Sequence, residues 1–175
     1  MEKTPVTRIA ILGAESSGKS TLASMLAITL DGGLVKEYAR EYCENLGHKP
    51  TAEDVIHIAE VQIAEYFDPG FSSDFIVYDT AIHTSLIWLE DKFSHVPQYL
   101  MKAAKTMEFD AIFVCDSDIP WEYDPLREDP YRRNELEEKT KKLLITLGKD
   151  FHFITGDVAT RLKNALYALK KLSLI

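Results

Sequence analysis

The 175-residue sequence predicts an α/β protein, a five-stranded and mostly parallel sheet packed between layers of helices. Two observations carry this. Five short strand-like runs, at residues 8–12, 34–37, 74–79, 111–116 and 151–155, alternate with longer segments of helical pattern. Each run is apolar through its middle rather than alternating, as befits parallel strands covered on both faces. The intervening segments are long enough for crossover helices, which are expected to be right-handed.

The first run, Arg8-Ile-Ala-Ile-Leu12, leads into Gly13-Ala-Glu-Ser-Ser-Gly-Lys-Ser20, which fits G-x-x-x-x-G-K-[ST] at every fixed position. Thr21-Leu-Ala-Ser-Met-Leu-Ala-Ile-Thr-Leu30 then has the composition of a helix. A strand, loop and helix in that order separate a phosphate-binding loop from a glycine turn ahead of an ordinary helix. Gly13 and Gly18 let successive N–H groups converge on phosphate oxygens at the positive end of a helix dipole. Lys19 brings an ammonium to the β- and γ-phosphates, and the Ser20 hydroxyl can ligate Mg²⁺. The expected fold is therefore a three-layer P-loop NTPase. Its expected ligand is ATP with Mg²⁺ along Gly13, Ala14, Glu15, Ser16, Ser17, Gly18, Lys19, Ser20 and Thr21.

The later elements follow in order. The second run ends in Glu37-Tyr-Ala-Arg40. Thr51-Ala-Glu-Asp54 after Pro50 has the form of a capping box opening a helix to about Phe67, which Asp68-Pro-Gly70 stops. The third run is Phe75-Ile-Val-Tyr-Asp79, with Thr80 as the expected cap of the next helix, in which Trp88 reads as core packing. The fourth continues as Asp116-Ser-Asp-Ile-Pro-Trp121. Asp129 before Pro130 suits the start of a helix running to Leu147, with Gly148 as its cap. Asp157 caps a last helix whose expected apolar face is Val158, Leu162, Leu166 and Leu169. With no repeat or linker, residues 1–175 read as one domain with a lid segment around 117–135.

A net charge of −8 argues against a surface that coats nucleic acid, so local groups must hold any anionic ligand. No stretch approaches membrane-spanning length, and the N-terminus lacks a signal-peptide core. Cys43 and Cys115 form no C-x-x-C pair and read as reduced cytoplasmic thiols, Cys115 in the core. Five dispersed histidines show no zinc spacing. The expected partner is a small molecule; a homo-oligomer stays open.

In open α/β sheets, ligands bind beyond the carboxyl ends of the strands. Four of the five strand ends carry a carboxylate, at Glu37, Asp79, Asp116 and Asp157. Asp79 is the candidate that orients Mg²⁺ or its waters, against the alternative of a helix cap. Glu37 could take a proton from an acceptor hydroxyl while Arg40 holds a phosphate or sugar oxygen; the alternative is a surface salt bridge. In Asp118-Ile-Pro-Trp-Glu-Tyr-Asp-Pro-Leu-Arg127, two prolines place Trp121 and Tyr123 on a loop, where an indole often marks a contact surface. Arg127, Arg132 and Arg133 follow, and such arginines can close over a triphosphate. For Arg132 and Arg133 the alternative is pairing with glutamates on a solvated helix face. His57 and Gln62 read as solvated-face or core-edge residues.

These runs together resemble the ribosylnicotinamide kinase domain of the bacterial bifunctional NAD-biosynthesis regulator, within the P-loop nucleoside-kinase group. The match rests on Gly13–Thr21 with its Glu15-Ser-Ser, Glu37-Tyr-Ala-Arg-Glu41, Asp79-Thr80, and Asp118-Ile-Pro-Trp121 with Asp124 and Arg127. The resemblance implies ATP-dependent phosphorylation of the 5′-hydroxyl of nicotinamide riboside. Lys19, Glu37, Asp79 and Arg127 are then the catalytic candidates. Arg132 joins the nucleotide site, and Tyr38, Arg40, Asp118 and Trp121 the acceptor site. Full-length family members carry an adenylyltransferase domain ahead of the kinase, which this sequence lacks, so kinase chemistry alone is expected. A kinase for another nucleoside or nucleotide is the nearest alternative; a nucleotide-switched ATPase that controls a partner is a more distant one.

Overall fold

β1 (Thr7–Gly13) is the middle strand of a five-stranded sheet, and its alternating side chains feed two different cores. The computed structural model describes residues 6–121 and 131–175. Following β1 are α1 (Lys19–Thr29), β2 (Gly33–Val35), α2 (Tyr38–Leu46), α3 (Ala52–Phe67), β3 (Phe75–Asp79) and α4 (Ile82–Phe93). Then come α5 (Gln98–Thr106), β4 (Ala111–Cys115), α6 (Arg133–Leu147), β5 (His152–Ile154) and α7 (Val158–Lys171). The strand order is β2-β3-β1-β4-β5, and every pairing is parallel.

Period-two alternation in β1 divides the interior. Ile9 and Ile11 meet Leu22, Ala23 and Leu26 of α1 and Ala165 and Leu169 of α7. Ala10 and Leu12 face Ile112, Val114 and, from α6, Leu144 on the other side. A second cluster there, beneath α3, α4 and α5, buries Val55, Leu86, Leu89 and Leu100. Each such leucine contributes about 1.5–3 kcal/mol by leaving water. This is the three-layer α/β sandwich expected, with Cys115 buried in it and Trp88 packed against the second cluster. No helix among the described residues is long and apolar enough to cross a membrane.

Several local signals are realised at the atomic level. Thr51 accepts from the Asp54 N–H while Asp54 accepts from the Thr51 N–H, the reciprocal capping box. Asp157 accepts from Thr160 N–H at 2.8 Å, and Gly148 ends α6 at φ +70°. Others differ. β2 stops at Val35, so Glu37 is the N-cap of α2 rather than a strand end. Ala81, not Thr80, sits at the N-cap of α4, because Thr80 has φ +75° and its N–H is bonded to the Ile11 carbonyl. Asp129 and Pro130 lie outside the described residues, and α6 has Arg132 at its N-cap. On α7, Leu169 of the expected apolar face is fully buried and Leu162 and Leu166 pack partly buried against the core, beside buried Arg161, Ala165 and Ala168; Val158 is exposed.

His83 on α4 is fully buried, 6.0 Å from the Phe109 ring, and neither ring nitrogen has a hydrogen-bond partner among the described residues. Burial, with the nearby Lys149 charge, lowers its pKa from 6.5 to about 4. Between those values the unfolded chain binds a proton that the folded one refuses. Stability is therefore full above the unfolded pKa and declines as pH falls towards the folded one. From pH 7 to 4.5 this residue is expected to remove about 2–3 kcal/mol. Urea titrations of wild type and His83→Leu at the two pH values check it, and an identical pH dependence in both would refute it.

Candidate nucleotide and acceptor site

The turn after β1 is closed by contacts that few sequences satisfy. Gly13 has φ +143°, and a Cβ there would lie 2.7 Å from the Cys115 carbonyl oxygen and 2.8 Å from Ser17 Oγ. Ser17 Oγ and Lys19 Nζ both donate to the Ala14 carbonyl, each at 2.7 Å, so the lysine folds across the loop. Gly18, at φ +77°, is the N-cap of α1 and offers no side-chain cap. The first N–H groups of α1 thus meet no capping side chain, which is the arrangement that receives an anion.

The register Ile11↔Asp79 sets the third strand's carboxylate beside this loop. Asp79 is buried, and its Oδ1 has no hydrogen-bond partner among the described residues. Burial raises its pKa, and the Glu37 charge adds to this; a hydrogen bond with Ser20 and the charges of Lys19 and Arg40 act the other way. Buried carboxylate oxygens are normally satisfied. An orphaned one next to a hydroxyl, at the open end of α1, is a donor set that suits a hard cation such as Mg²⁺. The fold thereby brings Lys19, Ser20, Glu37, Arg40 and Asp79 into one electrostatic neighbourhood.

The arginines and Asp118 fall differently from the expectation. Arg132 forms a bidentate pair with Asp91 at 2.7 and 3.0 Å and a pair with Glu135, and Lys139 also bonds Asp91. Arg133 instead reaches the phosphate loop, donating to the Ser16 carbonyl at 3.1 Å. Arg161, not among the residues expected at the site, donates to the Ser17 carbonyl at 2.6 Å. Asp118, expected on the acceptor, accepts from Arg161 through one oxygen and from Gly156 N–H through the other, at 2.5 Å. In the sequence Arg161 is only a charged residue next to Leu162 on the last helix; its burial, four positions before buried Ala165, appears in the structure. Arg127, with Tyr123 and Asp124, lies outside the described residues.

At the start of α2, where the acceptor was expected, Glu37 and Tyr38 are half-buried and Arg40 is exposed. Arg40 pairs with Glu44 at 3.2 Å, the surface salt bridge weighed above, while its charge also bears on Asp79. Tyr38, Tyr42 and His57 form an aromatic group with ring centroids 5.2–6.1 Å apart. Tyr38 Oη lies 3.2 Å from His57 Nε2, and Tyr42 donates to Asp54 at 2.7 Å. The Thr51 cap and this tyrosine hold the Asp54 pKa down at about 2. A surface hollow of about 260 Å³ beside the group is lined by Tyr38, Glu41, Tyr42, Asn45 and Leu46. Gln62 is buried and accepts from Ser85 Oγ at 2.7 Å, a core-edge role. Trp121 is half-buried.

A family model described as an AAA domain matches residues 8–161. Among curated proteins, the trifunctional NAD biosynthesis/regulator protein NadR of Salmonella typhimurium is 28% identical over 127 residues, 70% of this chain and 31% of that protein. The chain thus spans about a third of the length of that relative. The crystal structure of NadR protein in complex with NR superposes with a TM-score of 0.82 at 19% identity, covering 97% of this chain and 51% of that one. Thymidylate kinase from Ehrlichia chaffeensis gives 0.71 at 14% identity, over 94% and 99% of the two chains. Deoxyadenosine kinase from M. mycoides gives 0.67 at 16%, over 94% and 100%. At these identities the superpositions establish a shared fold.

Proposed function

The chain belongs to the AAA-domain family, and from that premise we propose that it is an ATP-dependent kinase phosphorylating a nucleoside 5′-hydroxyl, that of nicotinamide riboside. The observation that carries this is buried Asp79, whose Oδ1 has no hydrogen-bond partner among the described residues, beside the uncapped start of α1 and within the influence of the Lys19, Glu37 and Arg40 charges. In this reading Gly13 to Thr21 hold the triphosphate, and Lys19 neutralises charge on the transferred group. Ser20 and Asp79 hold Mg²⁺, which when bound screens the phosphate oxygens. Glu37 receives the acceptor proton and Arg40 holds a sugar or phosphate oxygen. Catalysis is mainly positioning and charge stabilisation. The two free cysteines, Cys43 and buried Cys115, support work in a reducing cytoplasm.

Nicotinamide riboside carries a fixed pyridinium charge, and an aromatic face attracts such a cation by about 0.5–2 kcal/mol. Trp121 is the proposed stacking partner, and the Tyr38, Tyr42 and His57 group, with Asp54 and Glu41 beside it, is a second aromatic and acidic surface that suits a cationic base. The likeness to a deoxyadenosine kinase and a thymidylate kinase supports a second reading, a different nucleoside or nucleotide as acceptor.

ADP release across a nucleoside panel decides between them. Nicotinamide riboside is expected to be turned over faster than uridine or adenosine. ATP hydrolysis indifferent to every nucleoside would instead indicate a nucleotide-switched module. In a Trp88→Phe background, nicotinamide riboside is expected to quench Trp121 fluorescence. Trp121→Ala should weaken its use with ATP affinity unchanged; a loss of ATP binding instead would put the indole on the wrong ligand.

A further inference from the structure

Two buried guanidinium groups stand behind the phosphate loop. Arg133, the first residue of α6, is 8% exposed, and Arg161 of α7 is 2% exposed. Arg133 Nη2 donates to the Ser16 carbonyl at 3.1 Å and to the Ile119 carbonyl at 2.9 Å. Arg161 Nη1 donates to the Ser17 carbonyl at 2.6 Å, and its Nη2 to the Asp116 carbonyl at 2.9 Å and to the Asp118 carboxylate. Its Nε donates to the Gly156 carbonyl at 2.6 Å. Each arginine therefore grips one carbonyl of the loop together with the segment that continues β4, and Arg161 adds the turn after β5.

We propose that Arg133 and Arg161 are positioning residues for a polyphosphate: by holding the Ser16 and Ser17 carbonyls, they aim the loop's N–H groups at the anion. The carbonyl of Ser16 shares its peptide plane with the N–H of Ser17, and that of Ser17 with the N–H of Gly18. In a planar trans peptide the two groups point in opposite directions. Anchoring the oxygens behind the loop turns both N–H groups to the front. Bonds from a guanidinium are about twice as strong as neutral ones, and they polarise the peptides they hold.

A purely structural account fits less well. An arginine on the buried stripe of α7, among Ala165, Ala168 and Leu169, carries a desolvation cost that an apolar side chain would avoid. Both arginines choose consecutive carbonyls of the one loop whose N–H groups must face a ligand. This inference rests on the triphosphate-binding half of the function proposed above and not on the acceptor.

The test is direct calorimetric binding of ATP, tripolyphosphate and adenosine to wild type, Arg133→Ala, Arg161→Lys and Arg161→Ala, each checked by thermal melting. Arg133→Ala and Arg161→Lys are each expected to weaken ATP and tripolyphosphate at least about tenfold, while adenosine changes by less than about twofold. Added guanidinium ion is expected to restore part of the tripolyphosphate affinity of Arg161→Ala, which a collapsed or merely destabilised site would not allow. Should the Arg161 variants not fold, the wild type carries the test. Its ¹⁵N-labelled Arg161 Nε–H resonance should then shift with tripolyphosphate and not with adenosine. Folded variants that bind tripolyphosphate as the wild type does, or that lose adenosine and ATP equally, overturn the proposal, as does a silent Arg161 resonance. The nucleoside panel on wild type judges the kinase reading separately, since no arginine variant enters it.

Discussion

A Lys19→Ala variant is expected to lose at least about a hundredfold in phosphoryl transfer, the usual scale for removing one group that stabilises transition-state charge. The lysine has no part in the core. Its ammonium lies 2.7 Å from the Ala14 carbonyl, within the loop it serves, and Lys19 is the first residue of α1, where alanine is a better helix former. The melting temperature should therefore stay level or rise while turnover collapses. Nucleotide affinity should fall less than turnover, because the backbone N–H groups and the open helix end still meet the phosphates. Single-turnover assays at saturating ATP, beside a thermal melt, make the measurement. Near-normal turnover in the folded variant would remove the phosphate loop from the mechanism.

The features legible in the sequence are those whose partners lie close by in the chain. The phosphate loop is one continuous run, so its residue types report its chemistry directly, and the Gly13 contact with Cys115 only adds the reason that no Cβ fits. The Thr51–Asp54 box is likewise local, and both of its bonds form. Arg161 was invisible because its partners Ser17, Asp116 and Asp118 arrive from two other strand ends. Arg161 lies beside the apolar face of α7, one residue and about 100° of helix rotation from Leu162, which packs partly buried against the core. Arg132 and Arg133 also part at the start of α6: the N-cap Arg132 turns to Asp91 on α4, and Arg133, the first helical residue, to the phosphate loop. Sequence offers both as charged residues ahead of a helix, and where that helix begins decides which is which. Asp118 shows the converse. A carboxylate beyond a strand end is the pattern of a ligand group, yet both of its oxygens bind the protein's own Arg161 and Gly156.

Asp79→Asn and Glu37→Gln are expected to fail in different ways. Asp79 is buried with its Oδ1 unpartnered among the described residues, and its pKa is raised chiefly by burial, so the carboxylate is costly to ionise until a cation joins it. An amide there removes that cost. Asp79→Asn should fold at least as well as wild type, while its Mg²⁺ requirement rises about 10–100-fold and turnover falls with it. The sign of the pH effect follows from the same shift. Because the folded carboxyl holds its proton to higher pH than an ordinary aspartate, falling pH should raise the Mg²⁺ needed by wild type, an effect Asp79→Asn should lack. Glu37, half-buried at the N-cap of α2 and using no side-chain cap bond, is the proposed partner of the acceptor hydroxyl instead. Glu37→Gln should lower turnover by about 10²–10⁴-fold, as loss of a general base does, with the Mg²⁺ requirement unchanged. Mg²⁺ titrations of both variants at saturating ATP and nucleoside separate the two. Opposite metal dependences would mean that the two carboxylates have exchanged roles. A silent Glu37→Gln would leave Glu37 a surface charge and Asp79 the site's only working acid.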